Sequence, residues 1–278
     1  MLIATFWFSL MNVFVKLLAH LPTMELVFFR CFVAVILGVI GLKHANVSWK
    51  GSNRKLLFLR GLFGTTALYF FFLTIKKMPL GTAVTIQYIS PFFSALLAVF
   101  LLKESVKPIQ WFYFILSFVG VMLIKGFDDR VSWQMLLIGL FSSFFSALAY
   151  NMVRTLKERE HPLVIVLHFQ FLGAAIGLIF TIFQWQLPDP IDWIYILLLG
   201  IFTQLGQVNL TRSLQAENVA RVSILNYIGV IYALGFGWLL FGEVYGWPQF
   251  IGILLVISGV IFNVLLTRAP ETPIPEVK

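Results

Sequence analysis

The stretch AVTIQYISPFF, residues 83–93, places Gln87, Tyr88, Ser90 and Pro91 in the middle of a run that is otherwise almost entirely apolar. A related stretch, SILNYIGVIYA at residues 223–233, lies half a chain later. Its Asn226 follows Gln87 by 139 residues, half of the chain length of 278, and each carboxamide precedes the dipeptide Tyr-Ile. A polar side chain in lipid needs a partner, so the two stretches predict two related polar walls inside a helical bundle.

The composition is that of a polytopic membrane protein. Hydrophobic residues make up 60% of the chain and charged residues 12%, with a mean hydropathy of +0.92. A soluble domain is about half apolar and about one quarter charged. The net charge of +8 does not indicate nucleic-acid binding, because the basic residues lie in short loops and form no continuous stripe. The single cysteine, Cys31, excludes an internal disulfide and a cysteine-pair metal site, and no cofactor is expected.

Ten apolar runs approach the length of about 20 residues that a helix needs to cross a bilayer. Proline, glycine and charged residues separate these runs. The first run has no basic segment before it, so we expect a retained helix and no signal peptide. The runs are about 2–18, 23–42, 56–74, 80–101, 107–125, 133–153, 161–184, 191–211, 218–241 and 247–267.

The distribution of Lys and Arg predicts the orientation. Ten spans place both termini on one side, and 14 of the 20 basic residues, Arg60 among them, fall on that side. Five, including Lys16, fall toward the other side, and Arg30 lies inside the second span. The positive-inside rule therefore places both termini in the cytoplasm, in the plasma membrane or bacterial inner membrane.

A shift of 139 residues aligns further glycine and polar positions, which predicts a duplication. We expect a first five-helix repeat at 1–126, a second at 127–268 and a short cytoplasmic tail at 269–278. Because five is odd, the second repeat is inverted, a construction found in many secondary transporters. The alternative is the chance self-similarity of apolar helices. The aligned pairs include Asn12 with Asn151, Gly61 with Gly200, Glu104 with Glu243, and Gln110 with Gln249.

This arrangement resembles the drug/metabolite transporter superfamily, specifically its EamA-type ten-helix members. The resemblance rests on the span count, the inverted duplication, Pro22 followed by Arg30, and Glu104 and Glu243 closing the fourth and ninth helices. It covers nearly the whole chain, although little precedes the first helix. It implies an all-α integral membrane protein of ten transmembrane helices that transports small metabolites.

The two quoted stretches supply the first candidates for binding a substrate. Gln87 and Asn226 each head a helical face of small residues, and either line a pore or pack against neighbouring helices. Tyr88 and Tyr227 can stack on a ligand and donate a hydrogen bond, or be buried structural residues. Pro91 removes a backbone donor and predicts a bend in the fourth helix.

Other polar residues inside the spans are further candidates. Gln204 and Gln207 share one face of the eighth helix, and Asn12 and Asn151 occupy equivalent positions in the two repeats. Each either lines a cavity or forms an interhelical hydrogen bond. Lys16 lies near a helix end, where we expect it to extend toward the membrane surface.

Arg30 lies about 10 Å along the second helix, where an arginine is costly, so we expect it to have a purpose. It either holds an anionic group of the substrate or belongs to a structural network. Glu25 is close in sequence but poorly spaced for pairing with it. His168 and Glu25 are candidates for proton coupling. For His168 the reason is that the reference pKa of histidine is about 6.5. A structural histidine is the alternative.

We therefore expect a secondary active transporter that moves a small polar metabolite by alternating access, with a central cavity between the repeats. No Walker A motif is present, so coupling comes from a proton or from exchange. An intramembrane enzyme is disfavoured, because the four histidines lack metalloprotease spacing and Asp128-Asp129 stands alone. A channel or a non-transporting scaffold is the alternative.

Overall fold

The computed structural model describes residues 1–102, 108–157, 159–216 and 225–266. Within these ranges every regular element is a helix. The helices are α1 (Leu2–Leu17), α2 (Thr23–His44), α3 (Arg54–Lys77), α4 (Leu80–Gln87), α5 (Ser90–Leu102), α6 (Pro108–Gly126), α7 (Trp133–Thr155), α8 (Pro162–Phe183), α9 (Asp192–Ala216), α10 (Ile228–Phe241) and α11 (Trp247–Leu266).

The helices have the character of membrane spans. By length and composition, α2, α3, α7, α8 and α9 can each cross a membrane. Helices α1 and α10 and the larger parts of α6 and α11 are shorter apolar helices of 10–17 residues. Large apolar side chains are exposed on outer faces, such as Ile182 on α8 and Leu239 on α10. Such surface suits lipid, so the structure agrees with the predicted all-helical membrane protein.

Most helix bounds agree with the predicted apolar runs to within a few residues, and two runs differ. The fourth run is divided into α4 and α5, separated by Tyr88 and Ile89. Of the ninth run, the structure describes the part that contains α10. Glu104 and the tail at 269–278 lie outside the described residues.

Local sequence signals set several helix ends. The Asn53 side chain accepts a hydrogen bond from the Leu56 amide and caps α3, and Ser132 caps α7 in the same way. Pro162 stands at the first turn of α8, where its missing N–H costs nothing. Gly242 ends α10 with a φ of 61°, a left-handed conformation that favours glycine.

The interruption between α4 and α5 is larger than the bend predicted from Pro91. Proline has no N–H, so the Gln87 carbonyl cannot accept a helical hydrogen bond from Pro91, and the helical bonding pattern is interrupted at this depth. Side chains from the other half supply donors. The Tyr227 hydroxyl donates to the Tyr88 carbonyl at 2.9 Å, and the Ser143 hydroxyl donates to the Ile86 carbonyl at 2.5 Å. The first bond gives the Tyr88 carbonyl a partner inside the bundle, as lipid requires, and the second adds to the bond that the Ile86 carbonyl accepts from the Ile89 amide.

The most extensive packing joins helices from the two halves of the chain. Helix α1 packs on α9, α2 on α8, α3 on α7 and α6 on α11. Helices α6 and α11 approach so closely that a Cβ added at Gly120 would lie 2.6 Å from the Gly252 carbonyl oxygen. Small residues allow such close approach between membrane helices. The interior of the bundle is therefore shared by residues 1–126 and the rest of the chain.

Glu160 ties the α7–α8 loop to the start of α3. Its carboxylate accepts hydrogen bonds from the Asn53 amide at 2.7 Å, from the Ser52 hydroxyl at 2.8 Å and from the Ser52 amide. Burial opposes ionisation of this carboxyl, but the hydrogen bonds outweigh it and lower the pKa of Glu160 below its usual range. The ionised form therefore stabilises the fold and fixes the loop before α3.

The stabilisation that the hydrogen bonds of ionised Glu160 contribute depends on pH, and this dependence can be measured. Because the native pKa of Glu160 is lowered, its stabilisation is complete above about pH 5 and is lost as the pH falls through the native pKa. We expect Glu160→Gln to lower the melting temperature at pH 7 by about 2–4 °C, the effect of losing about 1 kcal/mol. The difference from the parent protein shrinks at low pH. The exposed Asp129→Asn is the control, and an equal melting temperature for Glu160→Gln at pH 7 would contradict the assignment.

Candidate functional site

A cavity of about 100 Å³ lies inside the bundle and is lined by helices of both halves. Helices α1 to α4 contribute from the first half, and α7, α8 and α9 from the second. A larger groove of about 830 Å³ lies between α2 and α8, but its walls are mostly apolar and partly exposed. The buried polar side chains converge on the smaller cavity, which makes it the candidate binding site. Its polar lining residues are Asn12, Arg30, Arg60, Gln87, Tyr88, Ser146, Tyr150 and Gln207.

Gln87 stands at the end of α4 and is held by two serines of α7. Its Nε2 donates to the Ser146 hydroxyl at 2.6 Å, and its Oε1 accepts from the Ser142 hydroxyl at 2.7 Å. The predicted polar wall is therefore a contact between the two halves as well as part of the cavity lining.

The two predicted tyrosines lie together beside the interruption of the fourth helix. The rings of Tyr88 and Tyr227 meet edge to face, with centres 5.9 Å apart. Tyr88 lines the cavity, whereas Tyr227 is packed behind it and bonds to its carbonyl. The pair brings the two quoted stretches of sequence into direct contact.

Two arginines are buried at the cavity. Arg30 is 1% exposed, and its Nε donates to the Thr203 hydroxyl at 2.8 Å. Arg60 is 2% exposed, and its Nε and Nη1 have no hydrogen-bond partner in the described residues. Both guanidinium groups lie over the ring of Phe169, at 5.7 Å for Arg30 and 4.4 Å for Arg60. This edge of the cavity is strongly positive.

The remaining predicted binding residues divide into two groups. Asn12 and Gln207 line the cavity, and each has a buried amide oxygen without a hydrogen-bond partner in the described residues. Gln204 is buried one helical turn from Gln207, facing α2 near Gly38, and does not line the cavity. Asn151 and Asn226 are half-buried and lie outside the lining.

The two candidate coupling residues lie away from the cavity. Glu25 is fully buried, and its Oε2 accepts a hydrogen bond from the Gln186 amide at 3.1 Å, which holds the loop after α8. His168 lines the larger groove, and its Nδ1 lies 2.9 Å from the Val164 carbonyl of its own helix. Neither side chain lines the cavity that holds Arg30.

Sequence reasoning missed Arg60 and Tyr150 as cavity residues. The distribution of charge gives Arg60 only a membrane side, whereas the structure buries its side chain in α3 at the cavity. A signal was present, since Arg60 lies within the third predicted span, as Arg30 lies within the second. Tyr150 comes one residue before Asn151, and the tyrosine rather than the asparagine lines the cavity.

A polar cluster joins the two halves at the end of α1. Lys16 pairs with Glu243 and donates to the Met78 carbonyl at 2.9 Å. The other oxygen of Glu243 accepts from the Leu80 amide and the Tyr245 hydroxyl, both at 2.7 Å. Burial and this bond to the carboxylate raise the pKa of Tyr245 well above its usual range, so it stays a donor. Lys16 does not extend to the membrane surface as predicted, because a buried carboxylate is within its reach.

Comparison with known proteins places the chain among transporters. A family model described as the EamA-like transporter family matches residues 1–126 and 133–265. The pseudopaline exporter CntI of Pseudomonas aeruginosa is 31% identical over 245 residues, which are 87% of this chain and 86% of the exporter. Human solute carrier family 35 member G1 is 26% identical over 92% of this chain and 75% of its own length.

A solved crystal structure shares the fold. It aligns with a TM-score of 0.67 over 95% of this chain and 96% of its own, at 17% sequence identity. The family and the relatives are transporters and not enzymes, in agreement with the expectation from sequence. The chain is therefore a member of the EamA-like transporter family, within the drug/metabolite transporter superfamily.

Proposed function

We propose that this protein is a secondary active transporter of the bacterial inner membrane that carries a small polar metabolite by alternating access. The observation that carries the proposal is the buried polar cavity between the two halves of the chain. Its lining includes the amide oxygens of Asn12 and Gln207 and two guanidinium nitrogens of Arg60 that find no partner among the described residues. Polar groups inside a membrane protein that lack partners mark a substrate or ion path.

The packing supports two inverted five-helix repeats, with α4 and α5 counted as one helix. If the second repeat is related to the first by a two-fold axis in the membrane plane, contacts between them must occur in equivalent pairs. The packing of α1 on α9 is equivalent to that of α7 on α3, and α2 on α9 to α8 on α3, and all four are observed. The family model matches two separate ranges, 1–126 and 133–265, and each falls within one of the proposed repeats.

The proposed orientation places the termini in the cytoplasm and the Lys16–Glu243 cluster on the outside. The cluster connects α1 and the start of α4 to the loop after α10, so it joins the two proposed repeats. Opening the cavity to the outside requires these elements to separate. The cluster is therefore proposed to hold the external side closed in this conformation.

Within this scheme, cavity-lining residues bind the cargo and their neighbours position them. Asn12, Arg30, Gln87, Tyr88 and Gln207 are proposed to contact the substrate, and Arg60 joins them. Ser142 positions the Gln87 carboxamide, and Tyr227 holds the Tyr88 backbone. Glu25 and His168 stay candidates for proton coupling, but exchange is favoured, because no His, Asp or Glu among the described residues lines the cavity.

Transport by purified protein in liposomes tests the proposal. The vesicles are loaded with unlabelled amino acids, nucleosides, sugars or organic acids, and uptake of the matching labelled compound is followed. A carrier gives saturable uptake and counterflow for at least one class. Flux that does not saturate and proceeds at channel rates would contradict the proposal, as would the absence of flux for folded protein.

The proposed role of the Lys16–Glu243 cluster in closing the external side leads to a separate prediction. We expect Lys16→Met to lower the counterflow rate at least about fivefold, because losing a buried ion pair disfavours the externally closed state by at least about 1 kcal/mol. Affinity for substrate added outside is retained or increased. The matched control is Lys77→Met, since Lys77 is an exposed lysine toward the same proposed side. Unchanged counterflow in Lys16→Met would exclude a gating role.

A further inference from the structure

We propose that the cargo is a small organic dianion held between the guanidinium groups of Arg30 and Arg60. This inference rests on the proposed transport function and names its substrate class. The shared chemistry is a pair of negative charges on carboxylate or phosphate oxygens, which the planar fork of arginine binds with two hydrogen bonds.

The two arginines keep most of their donors free. A guanidinium group carries five N–H donors and stays protonated in proteins. Arg30 uses its Nε on Thr203, and its nearest other partner is the weak acceptor Cys31 Sγ, 4.0 Å from Nη1. Arg60 has no hydrogen bond from Nε or Nη1 to any described residue. A structural arginine that is almost fully buried normally finds acceptors for these groups.

No described carboxylate balances the two charges. The ion pairs among the described residues join Lys16 to Glu243, His20 to Asp192, and Arg130 to Asp128. Glu25 and Glu160 accept hydrogen bonds from loop amides. Within this part of the chain, the arginines therefore face the cavity without a counter-charge. Buried charge without a partner is strongly unfavourable, so a bound anion is the natural complement.

The geometry favours one molecule that reaches both groups. Arg30 and Arg60 lie over the same ring, that of Phe169, at 5.7 and 4.4 Å from its centre. A single negative charge would leave one guanidinium group unbalanced, whereas two charges on a short skeleton balance both. The cavity of about 100 Å³ limits the size of the skeleton. An engineered cavity of about 150 Å³ accommodates benzene, so the anion has only a few carbon atoms.

Other residues of the cavity indicate which further chemical groups the ligand carries. The unpartnered amide oxygens of Asn12 and Gln207 are acceptors, so they favour a cargo that also carries a hydroxyl or amino group. Gly64 leaves the space that Arg60 occupies. A Cβ at this position would lie 2.2 Å from Arg60 Nη1 and 2.8 Å from Phe169 Cε2.

Four small molecules test whether binding depends on the number of negative charges on the ligand. Malate has two carboxylates and a hydroxyl, glycerol 3-phosphate carries its charge on phosphate oxygens, lactate has one charge, and malamide has none. We expect malate or glycerol 3-phosphate to raise the melting temperature of the purified protein in detergent and to bind at least about tenfold more tightly than lactate. Malamide gives no shift. The comparison of malate with glycerol 3-phosphate decides between carboxylate and phosphate recognition.

Variants assign the effect to the two arginines. Arg30→Gln and Arg60→Gln should each weaken dianion binding at least about tenfold, as expected for the loss of a charge-assisted fork. Arg54→Gln is the matched control, because Arg54 is exposed on the same helix as Arg60 and should leave binding unchanged. Arg60→Gln should also raise the melting temperature of the unloaded protein, because it removes an unbalanced buried charge. Arg60→Lys keeps the charge without the fork and should bind the dianion with intermediate affinity.

The outcomes distinguish this inference from the transport proposal. Saturable counterflow of a neutral or cationic metabolite that dianions do not inhibit would overturn the dianion inference and leave transport intact. Dianion binding equal in the parent protein and both arginine-to-glutamine variants would also overturn it. Absence of saturable counterflow for every class, with folded protein, would overturn the transport function itself.

Discussion

The fold depends on one constraint, which is that lipid offers no hydrogen-bond partner to a polar group. Inside the bundle, the protein supplies those partners across its two halves. The broken backbone between α4 and α5 is bonded by Tyr227 and Ser143, and the Gln87 carboxamide lies between two serines of α7. Because of the same constraint, buried polar atoms that lack a partner indicate a site for a ligand. Arg60, Asn12 and Gln207 line the same cavity and have atoms that no described residue satisfies.

Two hydrogen-bonded networks, one around Glu160 and one around Lys16 and Glu243, connect segments that are distant in sequence, and they differ in which segments they connect. The Glu160 network ties loops together ahead of α3 and positions the helix that carries Arg60. The Lys16–Glu243 network joins the proposed repeats where they would have to separate. In our proposal the first network is a fixed anchor and the second is a contact that transport must break. A carrier needs both a rigid frame and a reversible closure around its site.

The sequence predicted the fold class and most helix bounds, because long apolar runs between charged or proline-rich segments leave few alternatives in a membrane. Five of the predicted binding residues, Asn12, Arg30, Gln87, Tyr88 and Gln207, line the cavity. Helical spacing shows which residues share a face, but not which neighbouring helix covers that face. For this reason Gln204, one turn from Gln207, lies outside the lining.

Two other results depended on three-dimensional packing. The charge count assigned Arg60 to one side of the membrane, but only the structure shows it buried over Phe169. The interruption of the fourth helix needed Tyr227 as a donor from the other half, and its position relative to Tyr88 was not encoded in either stretch alone. Asn12 lines the cavity from the first half, whereas Tyr150 rather than Asn151 lines it from the second.

Access to the cavity from the two sides of the membrane tests the central claim most directly. Ala149 lines the cavity, so Ala149→Cys in a Cys31→Ala background places one thiol there, and Ala147→Cys, fully buried outside the lining, is the control. Labelling by a membrane-impermeant reagent is measured in right-side-out and inside-out vesicles. Alternating access predicts that the thiol at 149 reacts from both sides, that the thiol at 147 does not, and that transported substrate slows the reaction without any ion leak. Reaction from neither side, or reaction from both sides together with ion leak, would contradict the account.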